Sequence, residues 1–255
     1  MIVCGAPLNT AIVNFMCVHK KLRMKRLATI LIREITRRCN LRDFWQAIFG
    51  NGGQVMKTPM SSAAYWHRNL NPQKLVDIGF AFVPPEMNKG KFYKMLKVPD
   101  ETVTPDLKPM TPEDVPKVTI ALNQHLITSY KVHQVFTEDD VLHLLCPRDG
   151  LFYAWYVEDD SGVTDFISFY ALNNEIIGDE RYDKIYTANC FYNFVKDNDP
   201  IRLKQLMSDL LILCRSNNFD MFNMTEVLQN SKLRGDLHMR SGSTMLAHYL
   251  FNWRM

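Results

Sequence analysis

A dense group of cations stands in front of a helical segment near the start of the chain. Five lysines and arginines fall within seven residues: Lys20, Lys21, Arg23, Lys25 and Arg26. The next segment, 27–38, repeats apolar residues at helical spacing and ends in two arginines. The N–H groups of a helix N-terminus and nearby cations together can bind pyrophosphate. A solvated basic surface leading into a helix fits the same pattern, so both interpretations stay open.

Histidines and cysteines are the other candidates for chemistry. His19 and His67 could move protons, although a lone histidine beside lysines or a tryptophan is more often structural. The six cysteines form no CxxC pair, which argues against a zinc ribbon or a thioredoxin-like site and favours reduced thiols in the cytosol. Cys17 falls in a predicted buried strand, 11–18, so an inert packed thiol is expected there.

The elements that must position these groups alternate between helix and strand. Helices are predicted over 27–38, 72–79, 112–127, 138–146 and 200–216, with Thr111 and Thr137 as N-caps. Strands are predicted over 11–18, 151–157, 163–172, 184–195, 220–223 and 244–253. A glycine-rich turn is expected at 50–53 and a proline-rich connection at 85–117. This order predicts an α/β domain with a mixed sheet.

Composition narrows the class of protein. The chain has 255 residues, 47% apolar and 22% charged, with a net charge of +3. Those values are typical of a globular protein, and the charge is too small to indicate a nucleic-acid binder. No apolar run approaches the roughly 20 residues of a membrane-spanning helix. The first residues lack the basic region of a signal peptide and are predicted as strand, turn, strand.

The segment Asn14–Ala28 closely resembles the signature of the protein N-myristoyltransferases, the glycylpeptide N-tetradecanoyltransferases. Further matches follow in order along the chain: 35–38, 45–47, 65–68, 70–72, 74–75, 163–166, 191–193, 206–209, 219–223 and 249–253. The resemblance implies transfer of a C14 acyl group from myristoyl-CoA to the amine of an N-terminal glycine. It also implies a GNAT-like acyltransferase fold, made of two pseudo-repeated halves.

The resemblance divides the chain by ligand. Residues 1–84 would be the remainder of an acyl-CoA-binding half, 85–110 a connection, and 111–255 the peptide-binding half. The CoA contacts it implies are Cys17, Val18, Arg23, Met24, Lys25, Arg26, Leu27 and Ala28. The peptide contacts it implies are Asn14, Asn51, Gly53, Tyr65, His67, Phe80 and Cys190. No metal and no cofactor are implied, because myristoyl-CoA is a co-substrate.

The resemblance also assigns the catalytic groups. Backbone N–H groups at Phe15 and Met16 would stabilise the oxyanion formed when the amine attacks the thioester, at about 3–4 kcal/mol for one donor. A chain-terminal carboxylate, here on Met255, would deprotonate the glycine ammonium. The chain is expected to be shortened at both ends relative to the family, which places Met255 differently from the family's own terminus.

Several positions depart from the family pattern. Ser243 stands where an aspartate would help hold the incoming amine, Cys190 and Met24 stand where the family has serine, and Asn51 stands where it has threonine. An ammonium is not a nucleophile, so losing its base would cost roughly 10²–10⁴-fold in rate.

These departures leave alternatives to the enzyme. One is a non-catalytic remnant that binds peptide or CoA, and another is an acyltransferase for a small amine. Tyr65, His67 and Phe80 favour a peptide acceptor over a small amine. The expected partners are N-terminal glycine peptides and myristoyl-CoA, not nucleic acid. The expected location is the cytoplasm, with peripheral association with membranes or ribosomes left open.

Overall fold

A computed structural model describes residues 1–14, 16–53 and 58–253. Its strands are β1 Ile2–Val3, β2 Ala6–Pro7, β3 Thr10–Val13, β4 Gln46–Asn51, β5 Ser61–Asn69, β6 Lys108–Pro109, β7 Val132–His133, β8 Phe152–Asp159, β9 Gly162–Ala171, β10 Asn174–Glu175, β11 Lys184–Ile185, β12 Thr187–Phe194, β13 Met221–Thr225 and β14 Arg240–Phe251. Its α-helices are α1 Leu27–Asn40, α2 Pro72–Asp77, α3 Lys89–Met95, α4 Val115–Ser129, α5 Glu138–Leu144 and α6 Pro200–Ser216. Short 3-10 helices cover Lys20–Leu22, Pro112–Asp114, Lys196–Asn198 and Asn230–Leu233.

The chain forms two compact units that alternate along the sequence. The first unit contains Met1–Ala64, Ser129–Val135 and Ser243–Met255, and the second contains Tyr65–Thr128 and Phe136–Gly242. These units are defined by packing. The predicted division into 1–84, 85–110 and 111–255 instead separates the chain by which ligand each part would bind. That division therefore stays a prediction.

In the first unit, a small mixed sheet has the strand order β3-β4-β14. β3 is parallel to β4, with Val13 opposite Phe49, and β14 is antiparallel to β4, with Tyr249 opposite Phe49. The rings of Phe49 and Tyr249 stack with centroids 5.3 Å apart, and Tyr249 is buried. β1 and β2 form an antiparallel hairpin, and β7 pairs with β1.

In the second unit, the strand order is β5-β13-β12-β9-β8-β6, with β12 and β13 parallel and the other neighbours antiparallel. Leu206, Met207 and Leu210 of α6 are fully buried together with Phe169 and Phe222 of the sheet. Each such burial contributes about 1.5–3 kcal/mol. This core fixes the register of β5, β13, β12 and β9, and the predicted α/β class with a mixed sheet is confirmed.

The predicted helix starts are confirmed by their caps. Thr137 Oγ1 accepts a hydrogen bond from the Asp140 N–H at 3.1 Å, and the Asp140 carboxylate accepts one from the Thr137 N–H at 2.9 Å. Thr111 and Asp114 form the same capping box ahead of α4. Asp199 caps α6 through its side chain, with proline at the first helical position. These signals are local, so the sequence alone reveals them.

The strand predicted over 11–18 is wrong in its length and in its burial. β3 ends at Val13, where its pairing with β4 ends. Beyond it, Met16 is 47% exposed and Cys17 is exposed. β3 is the edge strand of the described sheet. No further strand covers this side within the described residues. The predicted inert, buried Cys17 thiol is wrong, because Cys17 is exposed.

Glycine and proline gave misleading signals in two places. Gly50 and Asn51, predicted as turn, are the last residues of β4. A Cβ at Gly50 would lie 3.3 Å from Leu246 Cδ1, so this glycine marks a close approach between strands. Within the proline-rich connection predicted at 85–117, α3 forms around the fully buried Phe92. A seven-residue helix carries too little periodicity to be recognised.

Across residues 1–14, 16–53 and 58–253, no helix combines the length and the apolar character needed to cross a membrane.

Candidate functional site

The cations predicted to bind phosphate lie on one exposed stretch of the first unit, His19–Arg26, here called the basic segment. His19 Nδ1 accepts a hydrogen bond from the Lys21 N–H at 3.3 Å, which stabilises the 3-10 turn. Arg23 Nε donates to the Val18 carbonyl at 3.2 Å. His19 thus has a turn-forming role, which favours the structural interpretation of this histidine over acid–base chemistry.

The basic segment leads directly into the N-terminus of α1. Met24 and Arg26 have φ values of 65° and 56°, in the left-handed region, and the helix begins at Leu27. Arg26, the N-cap residue, makes no side-chain hydrogen bond to the first turn. First-turn N–H groups and cationic side chains are therefore available at one end of a 14-residue helix. Helix N-termini of this kind bind phosphate groups.

The remaining residues predicted to contact CoA flank the basic segment. Cys17 is exposed and Val18 is half-buried on its N-terminal side, while Leu27 and Ala28 form the first turn of α1. All of them belong to the first unit. The predicted CoA contacts therefore form one continuous surface of this unit.

The predicted oxyanion donors and the predicted base are only partly described. Phe15 and Met255 lie outside the described residues. Met16 lies between β3 and the basic segment, in irregular backbone, and Asn14 is exposed at the end of β3. The expected role of the Phe15 and Met16 backbone N–H groups, which is to stabilise the oxyanion together, stays a prediction.

Two predicted peptide contacts meet in the first unit. Asn51 Nδ2 donates a hydrogen bond to the Gly53 carbonyl at 2.8 Å, and both residues are exposed. The bond stabilises the turn that follows β4, so Asn51 supplies shape to this turn. This bond would have to break before the Asn51 amide could donate to a peptide.

Exposure and burial predict different reactivities for the cysteines. Burial raises the pKa of the Cys190 thiol to about 12, and it raises the pKa values of Cys146 and Cys214 as well. Because the thiolate is the reactive form, iodoacetamide should label the exposed Cys4 and Cys17 in the native protein and spare these three. Peptide mass spectrometry before and after unfolding in urea would measure this. Labelling of Cys190 as fast as that of Cys17 would contradict the buried environment.

In the second unit, β5 carries Tyr65 and His67 on the same face. The ring of Phe80 meets the His67 imidazole edge-on, with centroids 6.4 Å apart and an interplanar angle of 81°. Phe80 follows α2, and its N–H donates to the Leu75 carbonyl at 2.9 Å. The structure therefore brings His67 and Phe80, both predicted peptide contacts, into one cluster.

Tyr65 and Cys190 approach each other through Tyr170 of β9. Burial, followed by the proximity of Tyr65 and Cys190, raises the pKa of the Tyr170 hydroxyl to about 12. Cys190 Sγ lies 3.6 Å from Asn193 Oδ1, at a β-bulge between β12 and β9. At neutral pH these hydroxyl and thiol groups keep their protons, and the Cys190 thiol donates its proton to Asn193 Oδ1.

The polar partners of His67 were not among the predicted site residues. The His67 Nδ1 atom lies 2.6 Å from Asn223 Oδ1, and Asn223 Nδ2 donates to Asn189 Oδ1 at 3.0 Å. Asn223 lies between the buried Phe222 and Met224 in β13. An asparagine between buried apolar neighbours in a short strand was the available signal, because a buried amide requires a partner.

Arg240, at the start of β14, fixes the loop that bears Phe80. Its Nη1 atom donates to the Phe82 carbonyl at 3.2 Å, and its guanidinium lies 5.0 Å from the centroid of the Phe92 ring. Ser243, which replaces the expected aspartate, is exposed in the same strand. A serine hydroxyl is neutral, so this position contributes no negative charge toward an ammonium group.

No group of three or more His, Cys, Asp or Glu side chains within the described stretches is arranged to hold a metal ion.

Comparison with known proteins gives a consistent result over both units. Residues 2–63 match the Myristoyl-CoA:protein N-myristoyltransferase N-terminal domain, and residues 77–255 match the C-terminal domain of the same family. Glycylpeptide N-tetradecanoyltransferase 1 of Arabidopsis thaliana is 40% identical over 245 residues, covering 95% of this chain and 55% of that protein. The Plasmodium falciparum enzyme is 37% identical, covering 97% of this chain and 59% of that protein.

A solved structure agrees. The crystal structure of Saccharomyces cerevisiae N-myristoyltransferase with bound myristoyl-CoA superimposes with a TM-score of 0.88 at 31% identity, covering 100% of this chain and 65% of that one. The GNAT-like fold expected from the resemblance is confirmed by this match. The chain spans between half and two thirds of the length of these relatives. With both family domains matched and about 40% identity to relatives over nearly its whole length, the chain belongs to the N-myristoyltransferase family.

Proposed function

We propose that the protein transfers the myristoyl group of myristoyl-CoA to the amine of an N-terminal glycine. The observation that carries this proposal is the family match across residues 2–63 and 77–255. The relatives named above are glycylpeptide N-tetradecanoyltransferases, which are enzymes of this reaction. The chain covers only part of their length, so its own turnover is part of the proposal.

The basic segment would hold the phosphates of CoA. Its cations would attract the phosphates, and the first-turn N–H groups of α1 would orient them, so the two together make an anion site. The site is exposed, so salt weakens these contacts. Cys17, Val18, Leu27 and Ala28 would border the bound CoA.

The thioester carbonyl would develop negative charge next to this site. We assign the backbone N–H groups of Phe15 and Met16 to that charge, following the family signature in which they stand. One preorganised donor of this kind contributes about 3–4 kcal/mol to the transition state. The assignment of the terminal carboxylate of Met255 as the base stays a prediction.

The acceptor peptide would contact the residues that the family resemblance assigns to it. Four side chains of the second unit would take part: the Tyr65 hydroxyl, the Cys190 thiol, the His67 imidazole and the Phe80 ring. Asn14, Asn51 and Gly53 would line the peptide backbone, and the lack of a Cβ at Gly53 suits a close approach. We also propose that the protein works in the cytosol, which suits six unpaired cysteines.

A second candidate function is a non-catalytic module that binds peptide or CoA. Ser243 favours it, because this exposed position carries a neutral hydroxyl where the family pattern has a carboxylate. Such a module would keep the phosphate and peptide contacts while failing to hold and deprotonate the incoming ammonium.

One experiment separates the two functions. Purified protein is incubated with myristoyl-CoA and a peptide that begins with glycine, and the intact peptide masses are measured. A matched peptide that begins with alanine, and a reaction without protein, serve as controls. Acylation of the glycine peptide alone supports the transferase. Binding of myristoyl-CoA in a parallel titration without acylation contradicts the transferase and supports the binding module.

A further inference from the structure

Four residues form a continuous row across four strands of the second unit. His67 of β5 pairs in register with Asn223 of β13, Asn223 pairs with Asn189 of β12, and Asn189 pairs with Tyr170 of β9. Directly opposed residues on neighbouring strands project their side chains to the same face. The three polar side chains of this row therefore lie side by side, and their hydrogen bonds run across the strands.

The row has a defined direction. Asn189 Nδ2 faces the Tyr170 carbonyl at 3.5 Å, and a carbonyl can only accept a hydrogen bond. The Asn189 side-chain oxygen is then left to accept from Asn223 Nδ2 at 3.0 Å. That bond turns the Asn223 oxygen toward His67 Nδ1, 2.6 Å away. An oxygen at this distance requires a proton on Nδ1, so Nε2 of the neutral ring carries the lone pair.

Nε2 lies next to the backbone of Gly242, and this position of the ring depends on residue 242 being glycine. A Cβ at Gly242 would lie 2.5 Å from His67 Nε2 and 3.0 Å from the Tyr65 carbonyl. Real Cβ atoms do not approach that closely, so a larger residue would displace the ring. His67 is half-buried, so part of this residue stays accessible to a ligand.

We propose that Asn223 and Asn189 are positioning residues, which hold His67 in the Nδ1–H tautomer so that Nε2 accepts a hydrogen bond from a donor on the acceptor peptide. The tautomer follows from the row of hydrogen bonds alone. Only the identity of the ligand rests on the proposed function. Neutral imidazole in water favours the opposite tautomer, with the proton on Nε2, so the protein must impose this state.

The tautomer can be measured directly. Protein labelled with 15N at histidine is observed by long-range 1H–15N correlation at a pH where the imidazoles are neutral, and the His67 signals are assigned with a His67→Gln variant. We expect the wild-type His67 to show a protonated Nδ1. In Asn189→Ala the Asn223 amide is free to rotate, so we expect a mixture of tautomers or mainly the Nε2–H form.

Two further variants isolate the effect. Asn189→Asp keeps an oxygen that accepts from Asn223, and it should restore the Nδ1–H tautomer. Asn230→Ala is the matched control, because Asn193 Nδ2 donates to Asn230 Oδ1 at 3.1 Å in a second buried amide pair that does not include His67. It removes a comparable hydrogen bond and should leave the tautomer unchanged. Thermal melts of all variants establish that each is folded.

Peptide affinity completes the test. One neutral hydrogen bond is worth about 0.5–1.5 kcal/mol, so we expect Asn189→Ala to raise the Kd of a glycine-initiated peptide by roughly three- to tenfold. Asn189→Asp should stay near the wild-type Kd. In a turnover assay the loss should appear in KM with kcat unchanged, since the bond is made equally before and during reaction.

Several outcomes would overturn the inference. A wild-type His67 with its proton on Nε2 would do so, and so would a tautomer that does not respond to Asn189→Ala. A changed tautomer with an unchanged peptide Kd would remove the role in peptide binding. A wild-type protein that binds no peptide at all would instead contradict the proposed function, while the labelled spectra would still decide the tautomer.

Discussion

Replacing Asp220 with alanine is expected to lower the free energy of unfolding by about 3–5 kcal/mol, the usual cost of leaving a buried charge without its partner. Asp220 is buried and lies 2.6 Å from the ammonium of Lys74, which is itself buried. The same carboxylate accepts from Asn71 Nδ2 at 2.9 Å and from the Tyr186 N–H at 3.0 Å. All of these donors would lose their acceptor at once.

Urea unfolding followed by circular dichroism would measure this loss. The matched control is Asp236→Ala, because Asp236 pairs with Lys204 at 2.7 Å on the surface, with 45% and 50% of the two side chains exposed. Exposed pairs contribute about 0–1 kcal/mol, so the control should change stability little. Similar losses in the two variants would contradict a buried, hydrogen-bonded role for Asp220.

A double variant distinguishes the pair from its surroundings. Lys74→Met removes the buried charge that Asp220 neutralises, so Asp220→Ala should cost less in that background. The rings of Tyr182 and Tyr186 lie 5.4 and 5.2 Å from the Lys74 ammonium, and they would pack against the methionine instead. A coupling energy near zero in this cycle would mean that the ion pair itself contributes nothing.

The parts of the fold that could be predicted are those with local causes. α5 was predicted from Thr137 and Asp140, which form a capping box, and α6 from Asp199 followed by Pro200. Each of these start signals lies within four residues. The hairpin of β8 and β9 was predicted because its turn lies between two apolar runs. Each of these signals is complete in a short window of sequence.

The errors share a different cause. Gly50 lies in a strand because Leu246, nearly two hundred positions away, approaches its backbone. Cys17 is exposed because β3 has a partner on one side only among the described strands. Neither neighbour can be read from the sequence around the residue. Burial and pairing depend on the tertiary fold, and a local pattern cannot anticipate them.

The candidate site shows the same limit. His67 and Tyr65 were identified through the family resemblance, but Asn189 and Asn223 were not among the predicted contacts. Asn189 and Asn223 meet because β12 and β13 are parallel and joined through α6, which separates them by 34 positions in sequence. Their contact with His67 follows from the strand order of the second unit, which no motif contains.

The largest effect on ligand binding is expected from the basic segment. A variant with Arg23, Lys25 and Arg26 all changed to glutamine should raise the Kd for CoA by roughly a hundredfold at low salt. Exposed charged contacts are partly screened, so each cation contributes about 1 kcal/mol, and three together give about 3 kcal/mol, which is roughly a hundredfold in Kd. Calorimetric titration with CoA would measure the change.

The salt dependence of the same titration tests the mechanism. Wild-type affinity should fall as salt is added, because the contacts lie at an exposed surface, and the variant should respond less. The control variant changes Lys89, Lys91 and Lys94 of α3 to glutamine, which removes three exposed cations from the second unit. If both triple variants lose affinity equally, net charge alone attracts CoA. If only the basic segment matters, the charges and the N–H groups at the start of α1 form a site with a defined geometry.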